Sequence, residues 1–313
     1  MRFKFILILI ALTMLCIPVF GQTTANDWIL QGYAFDIKEN YNEAITAYDN
    51  AINLDPTNAE AWTNKGYDLY RLGRNAESLK CYDKVTDLYP NDEDAWKNKA
   101  EALANMDKYD EAVKAYDKAI EINPNDADVW ESKGFIFTDN LNKSDEAVKC
   151  FDKAIEINPK DESAWRSEGS ALDDLGKYDK AIKSYDKAIE LDPEDTYALT
   201  GKGRVLADMG NYDEALKNID MAIETYGKVN PKGEFADDGW YQKGLVLNES
   251  GKYEEAIKAF DKAIEIGQNR PNAPINGYYW YYKGTALKAL GRTTEADEAF
   301  AKAKELGATE PTS

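Results

Sequence analysis

Histidine is absent from this chain of 313 residues. Its absence removes the commonest general base and the commonest metal ligand, and with them every serine or cysteine nucleophile that relies on imidazole. Basic charge is also short: 38 lysines and arginines face 57 aspartates and glutamates, a net charge of −19. Such a surface repels a polyanion instead of binding it through counterion release, which argues against nucleic acid as a partner. The acidic excess serves solubility, and its sharper reading is attraction of a basic partner. Cysteine is limited to Cys16, Cys81 and Cys150. Phosphate and calcium loops are missing, and Gly201-Lys202-Gly203 lacks the third glycine and the preceding strand of a dinucleotide fingerprint. Paired acids such as Asp173-Asp174 read as a solvated helix face. The expectation is a protein that is not an enzyme and needs no metal or cofactor.

Long apolar runs are scarce as well. The extended one is Phe5 to Phe20, behind Met1-Arg2-Phe3-Lys4 and ahead of Gly21-Gln22. A positive start, a hydrophobic stretch and a small residue read as an export signal over residues 1–21. The stretch is shorter than the ~20 residues of a comfortable transmembrane helix, so an uncleaved membrane anchor is the second reading. Thr13-Met14-Leu15 ahead of Cys16 lacks the small residue of a lipoprotein signal. The expected location is extracytoplasmic, with membrane contact through the N-terminus as the alternative.

What the chain has is repetition. All seven tryptophans, Trp28, Trp62, Trp96, Trp130, Trp165, Trp240 and Trp280, are followed four residues later by Gly32, Gly66, Ala100, Gly134, Gly169, Gly244 and Gly284. Gly203 marks an eighth copy in which Leu199 replaces the tryptophan. Successive small residues lie 34, 34, 34, 35, 34, 41 and 40 positions apart, and a period of this size signifies stacked supersecondary units. A second small residue recurs in phase from Ala44 to Ala296, with one inserted residue in the fourth copy. Four positions further stands a bulky one: Tyr48, Tyr82, Tyr116, Phe151, Tyr185, Ile219, Phe260 or Phe300. Proline closes the first five copies at Pro56, Pro90, Pro124, Pro159 and Pro193, past a helix it could not continue. Spacings of three and four in both halves predict two amphipathic helices joined by a short turn, such as Gly176-Lys177. The small residues let the two helices approach, and the ring fills the wedge between them. The units run 25–58, 59–92, 93–126, 127–161, 162–195, 196–236, 237–276 and 277–310, the sixth and seventh carrying longer connections at Tyr226 to Ala236 and Gln268 to Asn276.

These columns resemble the tetratricopeptide repeat family from Ala25 to about Glu310. The resemblance implies an all-α chain, an α-solenoid of stacked helix-turn-helix repeats forming a right-handed superhelix. Two columns depart from the family pattern: lysine usually precedes the glycine, and the eleventh position reads Phe35, Leu69, Leu103, Phe137, Leu172, Leu206, Leu247 and Leu287 in place of tyrosine. In this family the first helices line a concave face through positions two, five, nine, twelve and thirteen. Here those positions place Tyr33, Tyr67, Tyr70, Arg71, Lys97, Glu101, Glu131, Phe135, Arg166, Arg204, Tyr241 and Tyr281 as candidate partner-binding residues. Aromatic anchors and arginines suit an extended peptide or a partner helix. Lys97 has the phase of the lysine with which chaperone adaptors of the family grip a C-terminal carboxylate, but Glu101 beside it would repel that carboxylate.

Comparison of the copies yields further expectations. Aspartate follows the second-helix ring in seven copies and lysine precedes the first-helix small residue in six; the first copy lacks the lysine and the last lacks the aspartate. Each aspartate is therefore expected to face the lysine of the next unit, with Glu168 breaking the ladder. Asp297 and Lys304 replace apolar residues in the last helix, as a uncovered terminal unit requires. Ile29, Leu30, Tyr33 and Ile37 form an apolar stripe on the first helix that either packs against the residues behind the signal or docks a partner or membrane. Cys81 and Cys150 fall in a small-residue packing column and are expected to be inert thiols. Asn142-Lys143-Ser144, in the one-residue-longer turn expected of the fourth copy, and Asn248-Glu249-Ser250 are glycosylation sequons. The expected function is an exported interaction scaffold that binds a peptide or partner protein on the concave face. Its rivals are a membrane-tethered assembly factor and an extracytoplasmic glycan binder or hydrolase.

Overall fold

The computed structural model describes residues 23–229, 237–268 and 276–308, and within them sixteen α-helices, one π-helical segment and no strand. The expected signal at 1–21 and the longer connections at 230–236 and 269–275 lie outside the described residues. The chain divides at Pro124 into two compact units. The first holds three hairpins: α1 (Ala25–Asp36) with α2 (Tyr41–Leu54), α3 (Ala59–Arg71) with α4 (Asn75–Leu88), and α5 (Glu93–Ala104) with α6 (Tyr109–Ile122). The second holds five. They are α7 (Ala127–Phe135) with α8 (Ser144–Ile157), α9 (Glu162–Asp174) with α10 (Tyr178–Leu191), α11 (Thr196–Asp208) with α12 (Tyr212–Val229), α13 (Asp237–Glu249) with α14 (Tyr253–Gln268), and α15 (Gly277–Ala289) with α16 (Thr293–Glu305). Within each unit every hairpin packs against the next, so each is a stack of helix-turn-helix repeats.

The two helices of a hairpin begin differently. First helices start at a polar cap: Asn58, Asp92, Asp161 and Asp195 each accept a backbone N–H of the first turn, and Thr24 forms a capping box with Asp27. Second helices have no such cap among those resolved in detail and follow a tight turn through a left-handed residue. That residue is Gly176 at φ 65° in one hairpin, but Glu39, Asp107 and Asn142 at φ 58°, 58° and 52° in others.

Packing inside a hairpin rests on contact between a glycine and a ring. A Cβ placed on Gly134 would lie 2.6 Å from Phe151, and one on Gly169 would lie 2.9 Å from Tyr185. The bare backbone of the first helix is therefore the floor on which the ring of the second helix lies. Tyr48, Phe151 and Phe260 are wholly buried there, each stabilising the fold by roughly 1.5–3 kcal/mol. Between hairpins the tryptophans are half-buried against the same clusters. The indole N–H of Trp62, Trp96 and Trp165 donates to the carbonyl oxygen of Pro56, Pro90 and Pro159 at 3.0, 2.9 and 3.1 Å. Tryptophan and the preceding proline recur together because one satisfies the backbone group that the other's turn exposes.

The charge ladder is present. Lys65 meets Asp49 at 2.5 Å, Lys99 meets Asp83 at 2.7 Å, Lys202 meets Asp186 at 2.7 Å, Lys243 meets Asp220 at 2.6 Å and Lys283 meets Asp261 at 2.6 Å. Glu168 stands in the lysine's place in α9, 7 % exposed, accepting from the Ser184 hydroxyl at 2.7 Å. Burial, with Asp152 across the same interface, pushes its carboxyl up to about 7. A second carboxyl pair is buried in the first unit, where Asp68 is pushed up to about 8 by burial and by Asp36. On α16, Asp297 and Lys304 face solvent where Ile257 of α14 is buried. Cys81 and Cys150 are both buried and outside any disulfide, and burial pushes the Cys81 thiol up to about 11.

Three expectations need correction. The apolar stripe of α1 is not continuous: Ile29 is 3 % exposed in the core beside Tyr48, whereas Leu30 and Ile37 are 48 % and 59 % exposed. Residues one apart on a helix are turned by about 100°, which separates Ile29 from Leu30. The residue inserted in the fourth copy is absorbed as a π-helical segment, Ile136–Asn140, with the Leu141 N–H donating to the Ile136 carbonyl at 3.2 Å. Asp173 is not solvated, since its side chain is 7 % exposed against Arg204.

Candidate functional site

In the second unit the inner faces of α7, α9, α11 and α13 enclose a groove of about 800 Å³, floored by rings and small residues from α8, α10 and α12. Its walls come from the columns that the repeat pattern assigns to the inner face. Tyr197 and Asp238 stand at position two, Arg166 and Thr200 at five, Phe135, Ser170 and Arg204 at nine, Thr138 at twelve, and Asp139 and Asp174 at thirteen. Gly201 shapes the floor: a Cβ there would lie 2.7 Å from the Tyr185 hydroxyl. Burial pushes that phenol up to about 12, which keeps it a neutral hydrogen-bonding group at the groove's base.

The two arginines are held in place by the protein itself. Arg166 donates to Asp195 Oδ2 at 2.9 Å, while Asp195 Oδ1 caps α11 through the N–H groups of Tyr197 and Ala198. Asp195 is buried, so one carboxylate fixes both the start of the helix and the guanidinium. The Arg204 Nε donates to Asp173 Oδ2 at 3.0 Å, and its Nη2 donates to the same oxygen. Each guanidinium therefore presents a planar face with its charge already matched. Tyr197 is 78 % exposed, with the Arg166 guanidinium 5.8 Å from its ring centre. Phe135 is also exposed and packs edge-on to Phe151, its ring centre 5.5 Å away. The π-helical segment carries Thr138 and Asp139 at the groove's end, a placement in keeping with the frequent occurrence of such bulges at functional sites.

Of the twelve candidate residues, the groove brings together Phe135, Arg166 and Arg204. Glu131 is half-buried on α7, and burial raises its carboxyl. Tyr241 and Tyr281 stay outside the groove and serve packing: Tyr241 lies 5.0 Å from Tyr279 and 5.9 Å from Tyr282, and Tyr281 lies 5.5 Å from Phe300. In the first unit the Tyr33 hydroxyl donates to Glu60 at 2.5 Å and accepts from Asn64 at 3.1 Å, and burial pushes it up to about 12. Arg71 lies between Tyr41 and Tyr67, 5.1 and 5.7 Å from their ring centres, and donates to the Tyr67 hydroxyl at 2.9 Å. Tyr70 is half-buried on α3, as are Lys97 and Glu101 on α5. Sequence reasoning missed Tyr197, Thr200 and the acidic residues at position thirteen. Reading that column down the copies is the signal that finds the acids.

Comparison with known proteins follows the same repeats. Tetratricopeptide repeat models match residues 93–126, 163–195 and 238–269, and others of that description match 59–92, 115–149, 184–217 and 278–306. A further model described as a TPR repeat matches 32–73, and a protein prenyltransferase alpha subunit repeat matches the short stretch 144–166. No curated protein matches the chain. Among solved structures, a tetratricopeptide repeat protein from Parabacteroides merdae ATCC 43184 is similar with a TM-score of 0.59 and 21 % identity, over 88 % of this chain and 100 % of that one. The MamA protein is similar with a TM-score of 0.52 and 25 % identity, over 56 % of this chain and 94 % of its own. The APC/C hetero-tetramer Cut9–Hcn1 contains a chain with a TM-score of 0.58 and 13 % identity, covering 92 % of this chain and 54 % of that one.

Proposed function

Because the chain belongs to the tetratricopeptide repeat family, we propose that it is an exported scaffold that holds an extended segment of a partner protein in the groove of its second unit. It is a binding protein and not an enzyme: repeats occupy the chain from Ala25 onward and no side chain offers an imidazole. The observation that supports the site is the groove itself, where the exposed rings of Phe135 and Tyr197 flank two arginines whose charges are already paired. Exposed rigid rings contribute contact area at little conformational cost, and anchors of this kind dominate interface energy. A photo-crosslinking side chain at Tyr197 tests the reading against one at Lys187, which pairs with Glu190 of the same helix. Adduct with one defined protein from position 197 and none from 187 is expected. Equal labelling, or labelling from 187 alone, rejects the groove.

Export rests on the charged and apolar pattern of residues 1–21. Sequencing the N-terminus of the chain recovered outside the cytoplasm is expected to begin after Gly21. A chain that keeps Met1 and sediments with membranes would make it a tethered assembly factor instead.

A further inference from the structure

We infer that the partner segment held by this groove is a left-handed extended chain with a lysine or arginine at every third residue, its cations meeting Asp139, Asp174, Asp208 and Glu249. These four carboxylates occupy position thirteen of four successive repeats, whereas the first unit has Ile37, Arg71 and Asn105 there; Asp139 and Asp174 line the groove, and Asp208 and Glu249 continue the column beyond its lining at the ends of α11 and α13. The acidic row is thus peculiar to the second unit. All four are exposed, and none forms an ion pair among the described residues. The groove's arginines form their ion pairs with Asp195 and Asp173, and Arg204 acts on Asp174 and Asp208 only through space.

Three of the four feel a neighbouring carboxylate. Asp174 is raised by partial burial of its carboxyl and then by Asp173, against the opposing pull of Arg204 and a hydrogen bond with Ser144, with Asp139 adding least; Asp208 is raised by partial burial and by Asp173, against Arg204; Glu249 is raised by partial burial and by Asp208. The repulsion passes from Asp139 to Glu249 by way of Asp173, the carboxylate that holds Arg204. An arriving row of cations would relieve it, which is the sense of charge complementarity at an interface.

Geometry sets the period of that row. The first helices α9, α11 and α13 touch in succession, and packed helices have axes about 8–10 Å apart. A polyproline II chain has 3 residues per turn and rises about 3.1 Å per residue, so it returns a side chain to the same face roughly every 9 Å. One cation therefore falls to each repeat, while the intervening residues pack on Tyr197.

The inference rests on the groove reading, and its test is separable from it. Fluorescent peptides of Pro-Pro-Lys repeats, Pro-Pro-Glu repeats, and the lysine composition with its lysines clustered at one end are titrated against the full chain. The Pro-Pro-Lys peptide is expected to bind best, with affinity falling as salt rises. Each of Asp139→Asn, Asp174→Asn, Asp208→Asn and Glu249→Gln is expected to weaken it about two- to fivefold, with unchanged thermal unfolding of the chain. No binding by the Pro-Pro-Lys peptide, or equal binding by the glutamate or clustered peptide, overturns the inference. The groove reading falls separately, by loss of the cross-link at position 197.

Discussion

Lys65 touches Asp49 of the preceding hairpin at 2.5 Å while its ammonium lies 5.6 Å from the centre of the Trp62 ring. One side chain thus ties a repeat to its neighbour and covers the tryptophan that starts its own repeat. The arrangement recurs at Lys99 over Trp96, Lys243 over Trp240 and Lys283 over Trp280. It explains why lysine occupies a column that the family usually fills with leucine: the stem lies along apolar surface and the head stays wet. Replacing Lys99 by Met keeps the stem and removes both charge contacts. The expected loss is about 0.5–1.5 kcal/mol in urea unfolding. A double-mutant cycle with Asp83→Asn should assign about 0.2–1 kcal/mol of that to the ion pair. A coupling of zero would leave the ring contact as the lysine's role.

At Glu168 the ladder is inverted, and stability should depend on pH because of it. Its folded carboxyl titrates at about 7, against an ordinary value of 4.5, through burial and then Asp152. The folded state therefore holds its proton more tightly than the unfolded chain does, so ionisation favours unfolding. The sign follows: stability is greatest below about 4.5, falls as pH rises towards 7 and is level above. Glu168→Gln should remove roughly 1–3 kcal/mol of that fall, and Glu168→Lys should stabilise further by restoring the pair with Asp152. Urea unfolding of the three chains at pH 4.5 and pH 8 reads the difference. Parallel losses in all three would remove Glu168 as its source.

Helix 7 offers a test in which local propensity and packing predict opposite signs. An alanine in a helix is normally more stable than glycine by about 0.5–1 kcal/mol. At Gly134 the new methyl would lie 2.6 Å from Phe151, a wholly buried ring. Overpacking of this kind costs about 1–3 kcal/mol, so Gly134→Ala should lower the melting temperature, and adding Phe151→Leu should recover part of the loss. A stabilised single variant would mean that the ring yields freely.

The frame was legible in the sequence because each repeat places the same side chain in the same surroundings eight times over. The Trp28-to-Trp280 series, the rings on glycine and the lysine ladder were all visible as columns, including the missing partners at the ends. Features present once were not. The extra residue of the fourth copy fits a longer turn and a π-helical segment equally well by count, and only the Leu141-to-Ile136 hydrogen bond distinguishes them. Ile29 and Leu30 are equally apolar, and their opposite fates depend on which side of α1 receives Tyr48. Asp173 and Asp174, taken as neighbours, resemble any exposed acidic pair. Their separate roles, one fixing Arg204 and the other in the acidic row, appear when each is followed to the adjacent helix.

The two sequons should differ if the chain is secreted by a host that glycosylates asparagine. Asn142 is exposed in a tight turn at φ 52°, with its side chain directed by a left-handed backbone. Asn248 is half-buried: its amide nitrogen donates to the Thr285 hydroxyl of the next hairpin at 3.2 Å, and its carbonyl oxygen is buried. A glycan on Asn248 would have to displace that contact and part α13 from α15, whereas one on Asn142 would extend into solvent. Mass spectrometry of the secreted chain should therefore show one glycan, lost in Asn142→Gln and kept in Asn248→Gln. The Asn248→Gln chain should instead unfold at lower temperature, because the longer side chain no longer fits against Thr285. A glycan found on Asn248 would mean that the α13–α15 contact opens before the chain completes its fold.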